Sequence, residues 1–419
     1  VKVLFINQFF WPDSSATSQQ LTDLATGLAA RPDMQVSVLC GEGGYAAAAS
    51  SAAPAGVRIL RVKALPFAKG KLGRILSYAS FYATATVRAL FTSRQDVVVS
   101  LTTPPLISLL GTMLKMLRGS HHFIWEQDIY PDVARDLGAF RPGSPIDRSV
   151  GVLADFSRRH ADGIIALGDC MKARLVARGI PAGRIAIAEN WANSTLIEPM
   201  PRPGDPRELV LLYSGNLGLA HDLDTFTGAL VRLRDDARFR FLFVGSGEKR
   251  KQLAAFCEAR SITSVELRPY VDRDKLSEGL AAGDIGLVTQ HSICCGSVVP
   301  SKVYGILAAG RPLLFIGPAA ATPALVIARH NCGWHIEPGD VDGLTHLLLH
   351  LAGHRDEVYQ AGVRARQALL DHYDLPASIE RFADILQAHA PAGLSQAAIN
   401  RYPPGGAASS LAPNPPHTS

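Results

Sequence analysis

Three turns in the second half of the chain carry residue types that could hold a phosphate. Tyr213-Ser-Gly215-Asn216-Leu-Gly-Leu-Ala-His221-Asp222 follows an apolar run, and its two glycines let backbone approach a ligand closely. Val244-Gly245-Ser-Gly247-Glu248-Lys-Arg-Lys follows the next run and opens a helical segment. The third turn is Cys295-Gly-Ser297-Val-Val299-Pro300-Ser301-Lys302-Val-Tyr-Gly305. It brings a hydroxyl and a cation to an expected helix N-terminus, a combination suited to a diphosphate. Each has a plainer reading. A lone Gly-x-Gly commonly serves packing, Lys249, Arg250 and Lys251 fit a solvated helix face, and His221 fits a turn. Three such turns on one sheet point to a phosphate site where no single one does. In the first half, Trp125-Glu-Gln127-Asp128-Ile-Tyr-Pro-Asp132 gathers polar groups after another apolar run. An active-site loop and a capping turn before the helix at Val133 are both open for it.

Other chemistries lack their signatures. No Gly-x-Gly-x-x-Gly opens the first unit, where Asn7-Gln8-Phe-Phe-Trp11-Pro-Asp13-Ser14-Ser15 stands instead. There is no P-loop and no His/Cys set at zinc spacing, and no Asp-x-Asp element stands where a metal–diphosphate site would be obvious. The six cysteines are scattered without disulfide spacing, which fits a reducing cytoplasm.

The elements that must position these turns are legible from hydrophobic pattern. Strands are expected at Val3–Ile6, Val36–Cys40, Asp96–Leu101, Phe123–Glu126, Gly163–Ala166 and Ile185–Ala188. A second series is expected at Leu209–Tyr213, Phe239–Val244, Val265–Leu267, Ile285–Thr289, Leu313–Ile316 and Trp334–Ile336. Continuous Val/Ile/Leu runs are what strands covered on both faces require. Helical stripes between them, such as Leu21, Leu24, Ala25 and Leu28, make the pattern βαβ, run through twice. The proline-rich seam after Ile197 reads as a linker. The expected organisation is an N-terminal domain over 1–197, a linker over 198–208, a C-terminal domain over 209–374, a helix within 375–390 and a disordered tail over 391–419.

With 419 residues, 47% hydrophobic and 19% charged, most of the chain should fold as two domains. A net charge of +5 is small for this length and argues against a nucleic-acid binder, while anionic small molecules or an anionic membrane surface remain compatible. The opening strand-like run leads us to expect no signal peptide, and no apolar stretch reaches the length of a spanning helix. Lys63, Lys69, Lys71 and Arg74 precede a weakly polar helix, and either docking on anionic lipid or ordinary packing on the sheet would use them.

Taken in order, Gln8–Asp13, Gln127–Asp132, the stretch from Gly168, Tyr213–Gly218, Val244–Glu248 and Pro300–Pro312 resemble the retaining family-4 glycosyltransferases of the GT-B fold. The branch they are most similar to builds capsular and exopolysaccharide repeat units, colanic-acid type. The resemblance implies two Rossmann-like parallel-sheet domains facing across a cleft, with a final helix crossing back to the first. It implies transfer of a sugar, with retention, from a nucleoside diphosphate (UDP or GDP) to a lipid-linked or oligosaccharide acceptor, with no cofactor and no required metal. By motif, Gly215 and Asn216 would lie at the diphosphate and His221 where many relatives have lysine. Gly245, Gly247 and Glu248 would border the nucleoside, Tyr270 and Val271 the base, and Ser297, Val299, Pro300, Ser301 and Lys302 the phosphates and sugar. Asp128 and Gln127 would lie at the reacting sugar, and Asn7, Gln8, Trp11, Asp13, Ser14 and Ser15 on the acceptor side. The family's paired glutamates are replaced by Ser297 and Gly305, which reads as a variant site. A sugar-nucleotide epimerase and a non-catalytic nucleotide-sugar-binding partner of a membrane glycan-assembly complex are the alternatives.

Overall fold

The structure, a computed structural model, describes residues 1–13, 15–42, 53–66, 70–271 and 275–388. Ser14, Lys69, the Lys71 side chain and the stretch from 391 expected to be a disordered tail lie outside the described residues. Seven strands, β1 (Lys2–Ile6), β2 (Gln35–Gly41), β3 (Arg58–Val62), β4 (Val97–Ser100), β5 (His121–Trp125), β6 (Gly163–Ala166) and β7 (Ile185–Ile187), form a parallel sheet in the order β3-β2-β1-β4-β5-β6-β7. Six more, β8 (Leu209–Ser214), β9 (Phe239–Val244), β10 (Val265–Arg268), β11 (Ile285–Thr289), β12 (Leu313–Ile316) and β13 (Gly333–Ile336), form a second parallel sheet in the order β10-β9-β8-β11-β12-β13. The expected pair of doubly wound sheets is therefore present. β3 is the strand absent from the sequence reading. Arg58-Ile-Leu-Arg-Val is an edge strand whose two arginines interrupt its apolar residues, so it lacks the continuous run that marks central strands.

Each sheet is buried on both faces by helices. In the first lobe these are α1 (Ala16–Ala29), α2 (Lys71–Leu90), α3 (Ser108–Arg118), α4 (Asp132–Asp136), α5 (Pro145–His160) and α6 (Asp169–Ala177). In the second they are α7 (Asp224–Leu233), α8 (Glu248–Ala259), α9 (Leu276–Ala281), α10 (Lys302–Ala308), α11 (Thr322–His330), α12 (Val341–Gly353) and α13 (Arg355–Ala368). The stretch 198–208 forms neither helix nor strand, and Arg202 ties it to the second lobe through Asp284 at 2.9 Å.

The last helix, α14 (Leu375–Gln387), returns to the first lobe. Asp374 starts it, accepting from the Leu375 amide at 2.9 Å and from the Ser194 hydroxyl at 2.6 Å. Its apolar face then enters the first core, where Phe382 sits with its ring centroid 4.8 Å from Trp125 and 5.7 Å from Trp191. Gly27 on α1 makes room for Ile379, and Arg31 pairs with Glu380 at 2.6 Å. Removing a fully buried aromatic costs about 3–5 kcal/mol. Phe382→Ala is thus expected to lower the urea midpoint of the first lobe by a corresponding amount, followed through tryptophan fluorescence of its neighbours Trp125 and Trp191. An unchanged midpoint would mean that α14 does not complete that core.

Candidate active site

The turns after β8, β9 and β11 lie at the carboxyl edge of the second parallel sheet, and three left-handed glycines let two of those turns nest. Gly215, Gly245 and Gly247 have φ of 135°, 131° and 127°. A Cβ at 245 would fall 2.2 Å from the Gly215 carbonyl oxygen, and one at 247 would fall 2.3 Å from the Leu217 carbonyl oxygen. Both glycines are therefore steric necessities. The nesting is completed by the Leu217 amide donating to the Ser246 carbonyl at 2.7 Å.

Over this nest lies Lys302, the first residue of α10. Its ammonium donates to the Tyr213 hydroxyl, stands 3.9 Å from that ring's centroid and reaches His221 Nε2 at 3.4 Å. Among the described residues no carboxylate pairs with it. Burial pushes its pKa down to about 7. Tyr213 is held in turn by stacking on Phe243, 5.4 Å away, and by donating to the Asn216 carbonyl at 2.8 Å. Ser301 leaves its hydroxyl uninvolved in capping α10.

His221 requires a correction. It stands beside Lys302, but its Nδ1 donates to the Thr289 carbonyl at 2.7 Å, leaving Nε2 to accept from the Lys302 ammonium at 3.4 Å. Burial, then the Lys302 charge, push its pKa down to about 3. A neutral imidazole cannot replace the lysine of relatives as a phosphate cation. It positions Tyr213 and Lys302 instead. Lys249, read as a solvated helix face, turns inward and donates to the His221 carbonyl.

Two further expectations are corrected. Ser297 is fully buried, with its hydroxyl donating to the Cys294 carbonyl at 3.2 Å, so it offers nothing to a ligand. Val299 is nearly buried and packs into the first lobe's core. Both serve the seam between lobes, because apolar or hydrogen-bonded groups there exclude water. Pro300 is partly exposed beside them. Glu248 and Tyr270 are exposed at the rim, with the Ser246 hydroxyl 3.4 Å from that of Tyr270, and Val271 is partly exposed.

From the first lobe, the segment after β5 meets this region backbone to backbone. Asp128 forms an antiparallel bridge with Val298, and the Ile129 amide donates to the Ser297 carbonyl at 2.9 Å. The Asp128 carboxyl lines a small cavity made of first-lobe residues including Glu126 and Arg158. Burial, then the Glu126 charge, raise its pKa to about 6. Gln127 is buried with its side-chain nitrogen unpartnered. Asp132, by contrast, is structural: it takes Arg174 at 3.0 Å and Arg178 at 2.6 Å. On the acceptor side, Asn7 and Gln8 are buried, donating to the Phe9 carbonyl at 2.7 Å and the Ser77 hydroxyl at 3.0 Å. Asp13 is also buried and accepts from the Ser15 amide at 2.8 Å, and the Trp11 carbonyl accepts from Arg61 at 2.8 Å. These four fix the loop that follows β1.

Sequence reasoning quoted Tyr213 but gave it no role, and it missed the Glu126–Arg158 pair, buried at 2.7 Å. The position of Tyr213 as the last aromatic of β8, directly ahead of Ser-Gly, was the signal available. Arg158 lies in the last turn of α5, and nothing in its spacing marks a partner 32 residues away.

The profile of a glycosyl transferase 4-like domain matches residues 15–191, and that of the glycosyl transferases group 1 matches residues 208–354. The chain belongs to this glycosyltransferase family. The probable glycosyltransferase WbjE of Pseudomonas aeruginosa is 26% identical over 333 residues, 74% of this chain and 78% of that protein. The putative colanic acid biosynthesis glycosyl transferase WcaI of Escherichia coli K12 is 26% identical over 214 residues, 47% of this chain and 51% of that protein. Among solved structures, Anabaena HepE in complex with UDP-glucose superposes with a TM-score of 0.66 at 15% identity, covering 92% of this chain and 99% of that one. The GT-B fold is thereby shared, and the turn after β11 is where this glycosyltransferase's second lobe meets the first.

Asp128 yields a prediction with a definite sign. A carboxyl whose folded pKa lies above its unfolded value destabilises the fold once pH rises past the unfolded pKa, with the full penalty present above about 6. Asp128→Asn should therefore raise the melting temperature at pH 8, with the gain fading as pH falls toward 4. A gain independent of pH in thermal melts would overturn this placement of the carboxyl.

Proposed function

We propose that this glycosyltransferase moves a sugar, with retention, from a nucleoside diphosphate to a lipid-linked or oligosaccharide acceptor in surface polysaccharide assembly. One observation carries the reading. Lys302 is a desolvated cation with no carboxylate partner among the described residues, set over two nested glycine turns. A buried charge without a counter-ion is unfavourable unless a ligand supplies it, and a diphosphate fits that charge. As the bond from the anomeric carbon to the leaving phosphate oxygen breaks, Lys302 neutralises the developing charge. The acceptor hydroxyl attacks the same face, and its proton passes to the departing diphosphate. No metal enters this scheme. Gly215, Asn216 and Ser301 border the diphosphate, Glu248 and Tyr270 the nucleoside, and Gln127, with its unpartnered amide, the sugar. UDP is the first donor nucleotide to test, as HepE binds UDP-glucose and shares the fold.

Titration calorimetry across pH tests this directly. A diphosphate binds the protonated lysine, so UDP affinity should fall as pH rises above about 7, approaching tenfold per pH unit. Lys302→Ala should weaken UDP by about tenfold or more and flatten that pH dependence, since charged hydrogen bonds contribute about 1.5–3 kcal/mol. Equal UDP affinity and an equal pH profile in the variant would sink the diphosphate assignment.

We infer contact with an anionic membrane at the cytoplasmic face, through the expected segment and a second exposed apolar surface. Lys63 and Arg74 are exposed, with Leu65, Ile75, Leu76 and Val87 also reaching solvent beside them, and the neighbouring helices α3 and α5 add further exposed apolar side chains. There Met116, Leu117, Ile146 and Val152 are 58–69% exposed, and Leu153 and Phe156 also reach solvent. Arg118, Arg148 and Arg159 are exposed on the same helices and pair with no carboxylate among the described residues. Apolar side chains ringed by arginine suit anionic headgroups. Among the described residues no helix is long and apolar enough to cross a membrane. In vesicle sedimentation, Val152→Asp with Phe156→Asp should abolish binding to phosphatidylglycerol vesicles. Unaltered binding would remove α5 from the contact.

A further inference from the structure

All six cysteines are free thiols, and four of them, Cys40, Cys257, Cys294 and Cys332, are buried. The two that retain solvent access are Cys170 and Cys295. They belong to different lobes, Cys170 to the first turn of α6 and Cys295 to the loop after β11, and the two segments lie against each other across the seam. Their apposition is enforced from several sides. The Cys170 sulfur lies 3.2 Å from the Thr322 hydroxyl of the second lobe. A Cβ at Gly296 would fall 2.4 Å from the Cys170 carbonyl oxygen, so the loop lies directly on the helix. One turn along α6, Arg174 donates to the Cys295 carbonyl at 2.9 Å and the Ile293 carbonyl at 3.2 Å, while Asp132 and Asp136 hold its other nitrogens.

The two thiols are chemically unequal. Hydrogen bonds from Cys295 and Thr322 at the start of α6 lower Cys170 to about 6, whereas Cys295 is pushed up. One is thus a ready nucleophile and the other its waiting partner.

We propose that Cys170 and Cys295 are an oxidative modification site, closing to an interlobe disulfide that pins the two lobes together. With a peroxide as oxidant, the Cys170 thiolate attacks one peroxide oxygen and the O–O bond breaks, giving a sulfenic acid and hydroxide. The Cys295 sulfur then attacks the Cys170 sulfur, and the S–OH oxygen leaves with the thiol proton as water. In total two thiols and one hydrogen peroxide give one disulfide and two waters. A dithiol reverses it by exchange. Exchange of ligands in a cleft between lobes needs the lobes to move, and a covalent bridge at the seam removes that freedom.

The full chain, treated with a few equivalents of hydrogen peroxide, tests this by mass and by hydrogen exchange, neither of which depends on glycosyl transfer. The intact mass should fall by two hydrogens, and the peptide map should join Cys170 to Cys295. The interlobe amide of Ile129 should exchange about tenfold more slowly than in the reduced protein, because its opening requires lobe separation. Cys170→Ser and Cys295→Ser should show neither change, and Cys294→Ser should show both. Linkage of Cys170 to Cys294, over-oxidation of Cys170 with Cys295 left as thiol, or a correct linkage that leaves the Ile129 exchange rate unchanged would each overturn the proposal.

Discussion

A single ammonium organises the second lobe's contribution to the interface. Lys302 is removed from bulk water and given a phenol, a neutral imidazole and a π face, but no anion. Each of those partners is itself fixed from the sheet behind it. Tyr213 stacks on Phe243 in the core, and His221 is tied to the Thr289 carbonyl at the end of β11. The charge is thus presented by rigid strands rather than by a long flexible side chain, which reduces the ordering cost of binding an anion there. The glycines at 215, 245 and 247 are the geometric counterpart, since any side chain at 245 or 247 would separate the turns that keep Tyr213 and Lys302 together.

The first lobe meets this arrangement through backbone contacts rather than side chains alone. The bridge between Asp128 and Val298 and the Ile129–Ser297 hydrogen bond set the register of one lobe on the other to within a residue. Arg174 reinforces it by joining first-lobe aspartates to second-lobe carbonyls. Such a seam fixes where a group leaving the second lobe would meet a group entering from the first.

The sheets were legible because their central strands are uninterrupted apolar runs, and the edge strand β3 was hidden by the same rule. The glycine turns and Lys302 were legible because strand-end position and residue type suffice to mark them. What pattern could not give was direction. Ser297 and Val299 sit in the same motif as Lys302, yet they face the seam, and nothing in Ser-Val-Val-Pro-Ser-Lys distinguishes the inward residues from the outward one. His221 was read as standing where many relatives have lysine, and its charge state was not legible. Its neutrality follows from burial beside a cation, which is a property of the packed site and not of the local sequence. Pairs such as Glu126–Arg158 and Cys170–Cys295 depend on elements brought together by the fold, so their separation along the chain conceals them.

The residues at the two positions where the resemblance leads one to expect glutamates can also be understood physically. Position 297 is closed by its bond to the Cys294 carbonyl, and a side chain at 305 would first meet Leu280 and Ile197, at 3.8 and 4.0 Å. An ionised carboxylate placed against those two apolar groups would lose its hydration without gaining a partner. Glycine at 305 therefore agrees with the packing around α10, and the polar groups left to meet a ribose are those of the neighbouring turn, Ser246 and Glu248, exposed at the rim. On the proposed reading, recognition of the nucleoside has moved from α10 to the start of α8, while the diphosphate end has kept its cation.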